Sequence, residues 1–388
     1  MENMEKVVYL DNAATTPCAP EALEMMVKAL SGACGNPSSH YSIGYEAKEF
    51  VDTGRAQVAK AINASPAELF FTSCGSEADN WAVKGTAFTK ARQNKKHLIT
   101  SAFEHHAIMH SMAALERMGF EVTYLPVDHL GHISLEDLEK AIREDTILVS
   151  VMYVNNEVGA VEPIEEISQI IKAKNPSVIF HVDAIQAYGK YVIRPKKQGI
   201  DLLSVSGHKI HGPKGVGFLY IRSGVKIKPL IYGGGQQNNL RSGTENVPGA
   251  AGLGVAAREM YTDHEEKIRR LTELKDYMTD RLGEIEGTLV NSKKGTESAP
   301  QIVSVSFEGV RSEVLLHALE EKKIYVSAGS ACSSKKKGSS VLSAMGLSDV
   351  RIEGAIRFSF SRYNTVEEAE ECLRVLKEKT AFLRKYMR

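Results

Sequence analysis

The sequence has no net charge: 48 Lys+Arg stand against 48 Asp+Glu over 388 residues. No global field therefore draws the chain toward nucleic acid or an anionic membrane. Cysteine is scarce. Cys18, Cys34, Cys74, Cys332 and Cys372 are scattered, odd in number and without a CxxC pair. That argues against a disulfide framework or a structural zinc site, and for a reduced, cytoplasmic setting. Long apolar runs are missing too; the longest, such as ILVSVMYV (Ile147–Val154), have the length of a strand and cannot span a bilayer. The N-terminus, MENMEKVVYLDN, lacks the basic region and apolar run of a secretion signal. There is no GxGxxG after a strand, no GxxxxGK[ST] and no HExxH, which removes the main support for dinucleotide, P-loop and zinc-hydrolase readings.

What is present is an ordinary globular profile, 43% hydrophobic and 25% charged, long enough for a large core and two domains. From about Glu68 to Ile221, short β-rich runs alternate with helical patterns. Strands are expected over 68–73, 97–101, 121–127, 147–154, 178–184, 201–207 and 216–221, with helices between them. Nearly all-apolar strands separated by helices imply a mostly parallel sheet of seven strands covered on both faces. Ligands then sit at the carboxyl ends of the strands. A polar, Gly-rich stretch (Tyr232–Gly249) breaks the pattern, and one long helical run, roughly Ala250 to Ile285, leads to a smaller α+β unit. The expected division is a large α/β domain over 16–255 and a smaller α+β domain built from 1–15 and 256–388. The smaller one carries SAGSACSSKKKGSS (Ser327–Ser340), whose small residues cannot pack into a core and leave Cys332 available for chemistry.

Two strand ends carry chemistry. In HVDAIQAYGK, Asp183 closes a buried strand with Gln186 three residues on; in SVSGHKIHGPKG, Lys209 follows a strand, boxed in by Ser206, Gly207, His208 and Gly212. A lysine there can bind phosphate or, desolvated, act as the amine of a Schiff base, and pyridoxal phosphate needs such a lysine with a carboxylate facing its ring nitrogen. A turn lysine and a strand-end cap explain the same residues, and the pair leaves both readings open. TSCGSEADN adds a strand-to-helix turn in which Gly75 and Ser76 offer backbone N–H groups and a hydroxyl to a phosphate. In FEHHAIMH, His106 and His110 are one turn apart, but a third ligand is not evident and no metal is expected. A histidine stacked on an aromatic cofactor fits the place at least as well.

The ordered motifs YLDNAATTP, GNPSSHYSIG, FTSCGSEADN, EHHA, VNNEVG, HVDAIQAYGK, SGHKIHGPKG, RSGTEN, SAGSACSS and IRFSFSRYNT together resemble the NifS/IscS-type cysteine desulfurases over essentially the whole chain. These are pyridoxal-phosphate enzymes of the class V aminotransferase family, with the aminotransferase-like fold type I. The resemblance implies that Lys209 holds pyridoxal 5'-phosphate as a Schiff base, with Ser206, His208, Gly75 and Ser76 on its phosphate. It implies Asp183 at the ring nitrogen, Gln186 and Asn156 near the ring oxygen, and His105 as the stacked acid/base residue. Thr244 would reach the phosphate of a neighbouring subunit, which implies a homodimer; Asn36 and Arg357 would hold the substrate carboxylate. Cys332 would take sulfur from L-cysteine as a persulfide, release L-alanine, and pass the sulfur to an acceptor protein for iron–sulfur cluster assembly or for tRNA or cofactor thiolation.

Two departures stand out. SSKKKGSS follows Cys332 where many relatives carry a longer segment with an acidic residue and a proline, and Cys74 replaces a usual glycine. The rival readings are a selenocysteine lyase or another class V aminotransferase on the same fold, and a non-catalytic interaction protein. No direct nucleic-acid or membrane partner is expected.

Overall fold

The computed structural model describes residues 7–32, 34–90, 95–328 and 338–386. Strands in chain order are β1 (Val8–Tyr9), β2 (Leu69–Thr72), β3 (His97–Ser101), β4 (Glu121–Leu125), β5 (Thr146–Met152), β6 (Ile179–Asp183), β7 (Leu202–Ser206), β8 (Gly217–Ile221), β9 (Thr288–Val290), β10 (Ile302–Phe307), β11 (Ile324–Tyr325), β12 (Ser327–Ala328) and β13 (Ala355–Ser359). Seven of them form one sheet in the order β2-β8-β7-β6-β5-β3-β4. β3 to β7 pair in parallel, while β8 runs antiparallel to both of its neighbours, β2 and β7. The expected mostly parallel, seven-stranded α/β sheet is therefore present.

Every residue of β5 is buried, as are those of β7 and β8. That is why these runs show no alternation: both faces are covered by helices. Burying each Val, Leu or Ile stabilises the sheet by roughly 1.5–3 kcal/mol. β4 stops at Leu125, two residues short of expectation, because Pro126 has no N–H for the ladder. A separate four-stranded antiparallel sheet, β12-β13-β10-β9, is packed by the helices His264–Gly283, Ser312–Glu320 and Val366–Leu383. β1 pairs with β11, so the start of the chain belongs to this second core.

One expectation fails. The single helical run over 250–285 is two helices, Val247–Tyr261 and His264–Gly283. Asp263 takes a left-handed backbone (φ 47°), which a short polar side chain tolerates. Lys267 Nζ donates to Glu259 O and Thr262 O at 2.5 Å, satisfying carbonyls that the break leaves open. Among the described residues no helix is long and apolar enough to cross a membrane.

Candidate active site

The sheet topology brings five strand ends to one edge. β6 ends at Asp183 and β7 at Ser206, which runs into a tight turn, Gly207–Lys209. β5 ends at Met152, four residues before Asn156, and β3 at Ser101, four before His105. β2 ends at Thr72 on the same edge, and Gly75 opens the helix Gly75–Lys90. Met152, Asp183, Ser206, His105, Asn156 and Lys209 at or just beyond these ends, with Gly75, Ser76, Gln186, His208 and, from β13, Arg357, line one cavity of about 1200 Å³. Asn36 is exposed elsewhere, where its Oδ1 accepts from Ser38 N at 2.9 Å, and Thr244 is exposed as well. Neither lines the cavity of the single chain. Cys332 and Lys335 to Lys337 lie outside the described residues.

Lys209 Nζ donates to two backbone carbonyls, Ala13 O at 2.6 Å and Ala14 O at 2.7 Å. Burial and then the charge of Arg357 lower its pKa to about 8, against the pull of Asp11 and Asp183. Asp183 is 4% exposed, and its Oδ1 accepts from Ile185 N at 2.9 Å. Burial raises its pKa; the Ile185 N–H and the Lys209 charge oppose that rise. His105 caps the helix His106–Arg117, its Nδ1 accepting from Ala107 N at 3.2 Å, which leaves the proton on Nε2. Although part of the ring is open to the cavity, desolvation by the surrounding wall and then Lys209 lower its pKa to about 4. It is a neutral imidazole at ordinary pH. His208 is held down to about 4 for the same reasons, burial first.

Polar groups in the wall also point to a ligand. Ser206 Oγ is buried without a hydrogen-bond partner among the described residues. A buried hydroxyl left so is costly, and a phosphate oxygen there removes the cost. At Gly75 a Cβ would sit 2.3 Å from Ile185 Cδ1 and 3.3 Å from Ser206 Cβ, so a larger residue would have to displace the Ile185 side chain before the helix start could approach the strand end so closely. Arg357 is anchored on two sides: Nη1 donates to Asn156 O at 2.8 Å and Nη2 to Asp11 Oδ1 at 2.7 Å. Lysine, carboxylate, hydroxyl, glycine turn and arginine together fit a phosphorylated aromatic aldehyde and an amino-acid substrate. Among the described residues no group of three or more His, Cys, Asp or Glu is placed to hold a metal.

The site also uses residues that sequence reasoning left unassigned. Asp11, Ala13 and Ala14 come from YLDNAATTP, a motif quoted without roles; the signal was there. Glu104 lines the cavity, and burial raises its pKa to about 8. Beneath the strand ends, Asp79 is fully buried 3.8 Å from His181 Nε2, while His181 bridges Ser150 Oγ and Ser204 Oγ at 2.8 Å each. No local pattern marks those as neighbours of Asp183, because strand register and helix packing bring them together.

Comparison with known proteins agrees with this geometry. The family model described as aminotransferase class-V matches residues 8–372. A protein of Methanosarcina thermophila named "Cysteine desulfurase IscS" is 48% identical over 374 residues, covering 96% of this chain and 92% of its own. A solved "NIFS-LIKE PROTEIN" superposes with a TM-score of 0.92 at 40% identity, covering 97% of this chain and 100% of its own. A structure titled "SspA in complex with cysteine" superposes with a TM-score of 0.80 at 36% identity, covering 92% and 99%.

Proposed function

The chain belongs to the aminotransferase class-V family, and we propose that it is a pyridoxal-phosphate-dependent cysteine desulfurase that takes sulfur from L-cysteine and releases L-alanine. The observation that carries this reading is the single cavity shared by a desolvated lysine, a buried carboxylate, a neutral histidine and an arginine. Relatives named cysteine desulfurase at 42–48% identity support the reaction class.

In this reading Lys209 Nζ would be the covalent anchor of the cofactor and, as a free amine, would serve as a base in the same cavity. Asp183 would hold the proton of the ring nitrogen; Ser206, His208 and the Gly75–Ser76 turn would take the phosphate, and Gln186 and Asn156 the ring oxygen. The bound cofactor supplies an electron sink that acidifies the substrate's α-proton. His105, neutral with its proton on Nε2, moves protons at the ring face. Arg357 binds the substrate carboxylate; Asn36, exposed outside the cavity of the single chain, takes no part in that subsite within one chain. The Cys332 thiolate attacks the substrate sulfur: an S–S bond forms, the C–S bond breaks, and the carbon takes up a proton to become alanine. The persulfide then passes to an acceptor protein.

We read the protein as a homodimer in which Thr244 serves the other subunit's phosphate. The helix Pro20–Gly32 leaves Leu23, Val27 and Leu30 exposed at 53–67%, an i, i+4, i+7 stripe that a second copy would cover. Sedimentation should give the mass of two chains; a monomer would end that part of the reading. The function itself is tested by the absorption spectrum of the purified protein before and after L-cysteine, with alanine and sulfide assayed for wild type and Cys332→Ser. A chromophore that shifts in both, with turnover only in wild type, is expected. Retained sulfide release by Cys332→Ser would discard the persulfide and keep the cofactor.

A further inference from the structure

We infer that Asp11 is a positioning residue that holds the Arg357 guanidinium in the orientation that receives the substrate carboxylate, so the N-terminal segment is a working wall of the active site. The inference rests on the reading of Arg357 as the carboxylate anchor. Its own support is geometric. The Asp11 carboxylate accepts from Arg357 Nη2 at 2.7 Å, while Asn156 O takes Nη1 at 2.8 Å. Two of the guanidinium's five N–H donors are thus fixed by protein, and Nε is buried without a partner among the described residues. A planar fork held at two points is set in the plane and rotation needed to meet a carboxylate bidentately.

The carboxylate can do this because its backbone is itself pinned to the strand that carries Arg357. Asp11 bridges to Ser359 in parallel register. Just after it, Asn12 Nδ2 donates to Ser359 O at 2.9 Å and Ala13 N to Ser359 Oγ at 2.8 Å. Tyr9 Oη donates to Asp11 O at 3.1 Å and to Thr15 O at 2.9 Å, closing the turn. The next residues then meet the cofactor lysine, since Ala13 O and Ala14 O take the Lys209 amine, and Ala13 O also accepts from Gln186 Nε2 at 2.9 Å. One short segment therefore spaces the carboxylate anchor from the reactive amine. Asp11 also offsets, at Lys209, the repulsion that Arg357 imposes. Without it, two neighbouring cations would face each other with one fewer compensating charge.

The test uses the holoenzyme. L-Cysteine and cysteamine, which lacks the carboxylate, are each titrated against the cofactor absorbance, and alanine release is followed for wild type, Asp11→Asn, Asp11→Glu, Arg357→Ala and Asp11→Asn/Arg357→Ala. Loss of a charged hydrogen bond predicts that Asp11→Asn raises the KM for L-cysteine about 10- to 100-fold, with kcat within about threefold. Cysteamine binding should stay within about twofold, and Asp11→Glu should recover part of the loss. Added to Arg357→Ala, Asp11→Asn should cost less than about twofold, because the group it orients is gone. If Arg357→Ala raises KM and Asp11→Asn does not, the inference falls and the carboxylate anchor stands. If Arg357→Ala leaves KM unchanged, both fall. Equal weakening of L-cysteine and cysteamine by Asp11→Asn would assign Asp11 a structural role and overturn the inference.

Discussion

Lys209 and Lys275 have been pushed to the same pKa, about 8, by the same first cause, burial. They differ in what surrounds the amine. Lys275, in the helix His264–Gly283, has no exposed surface, and its Nζ donates to Gly295 O, Ser298 O, Ser298 Oγ and Ala299 O at 2.8–3.4 Å. It clamps the loop before β10, and every acceptor it meets is part of the fold. Lys209 has two carbonyl acceptors, a second cation beside it and a large cavity in front. A depressed lysine pKa therefore does not identify a reactive amine. What separates the two is whether the amine has somewhere to go, and that is a property of strand ends rather than of burial.

Exchanging the two lysines' fates gives the largest expected effect. Lys209→Ala should abolish the covalent chromophore and lower alanine release by on the order of 10⁴-fold or more, read by absorbance and turnover. Stability should fall little, because the Ala13 and Ala14 carbonyls that the amine leaves line the cavity, where water can take its place. Lys275→Ala should do the reverse: about 2–4 kcal/mol lost in urea unfolding, with the chromophore and KM intact. A Lys275→Ala protein that folds well but cannot take up cofactor would break the comparison.

The pH dependence sharpens it. A lysine whose folded pKa lies below its unfolded value costs stability at low pH, and that cost is relieved as pH rises from about 8 toward about 10.4. Wild type should therefore gain stability over that window, and the deficit of Lys275→Ala should widen between pH 7 and pH 10. At Lys209, in the role proposed for it, the same shift should appear as chemistry. Cofactor uptake by stripped protein needs the neutral amine, so its rate should rise about tenfold per pH unit below about 8 and then level. A rate still climbing at pH 10 would mean that Lys209 is an ordinary lysine.

The same contrast explains what could be read in advance. The seven central strands were legible because β5, β7 and β8 are buried on both faces and so are uniformly apolar. Asp183, Lys209 and Gly75 were legible because each stands where a strand run stops, a place that local sequence marks. Asp79 and His181 were not, since their proximity exists only once the helix Gly75–Lys90 lies on the sheet. The break at Asp263 was hidden for a different reason: Tyr261 and Ile268 keep helical spacing on either side of a fully polar stretch, 262–267, which suits an exposed turn of one helix as well as a break between two. The roles of Asp11, Ala13 and Ala14 needed the pairing of segments more than 190 residues apart in the case of Lys209 and more than 340 in that of Arg357.

The smallest expected effect concerns Cys74, which lines the same cavity at the turn before Gly75. The family resemblance read from the sequence implies glycine there, so the question is whether the thiol does chemistry. The backbone argues that it need not. Cys74 is absent from the residues with positive φ, so an ordinary side chain fits without strain. Its carbonyl is occupied, accepting from Thr72 Oγ1 at 3.0 Å and from Ala78 N at 3.2 Å, so the turn is held by main chain and not by sulfur. Its Sγ has Ser73 Oγ at 3.8 Å, a weak contact to lose. Cys74→Ala should therefore change KM, kcat and cofactor affinity by less than about twofold and stability by less than about 0.5 kcal/mol. Cys74→Gly should cost slightly more, about 0.5–1 kcal/mol, through the freedom glycine adds to the unfolded chain. A tenfold loss of turnover in Cys74→Ala, with the chromophore unchanged, would make this thiol a second sulfur carrier and place two cysteines, not one, at the cavity's service.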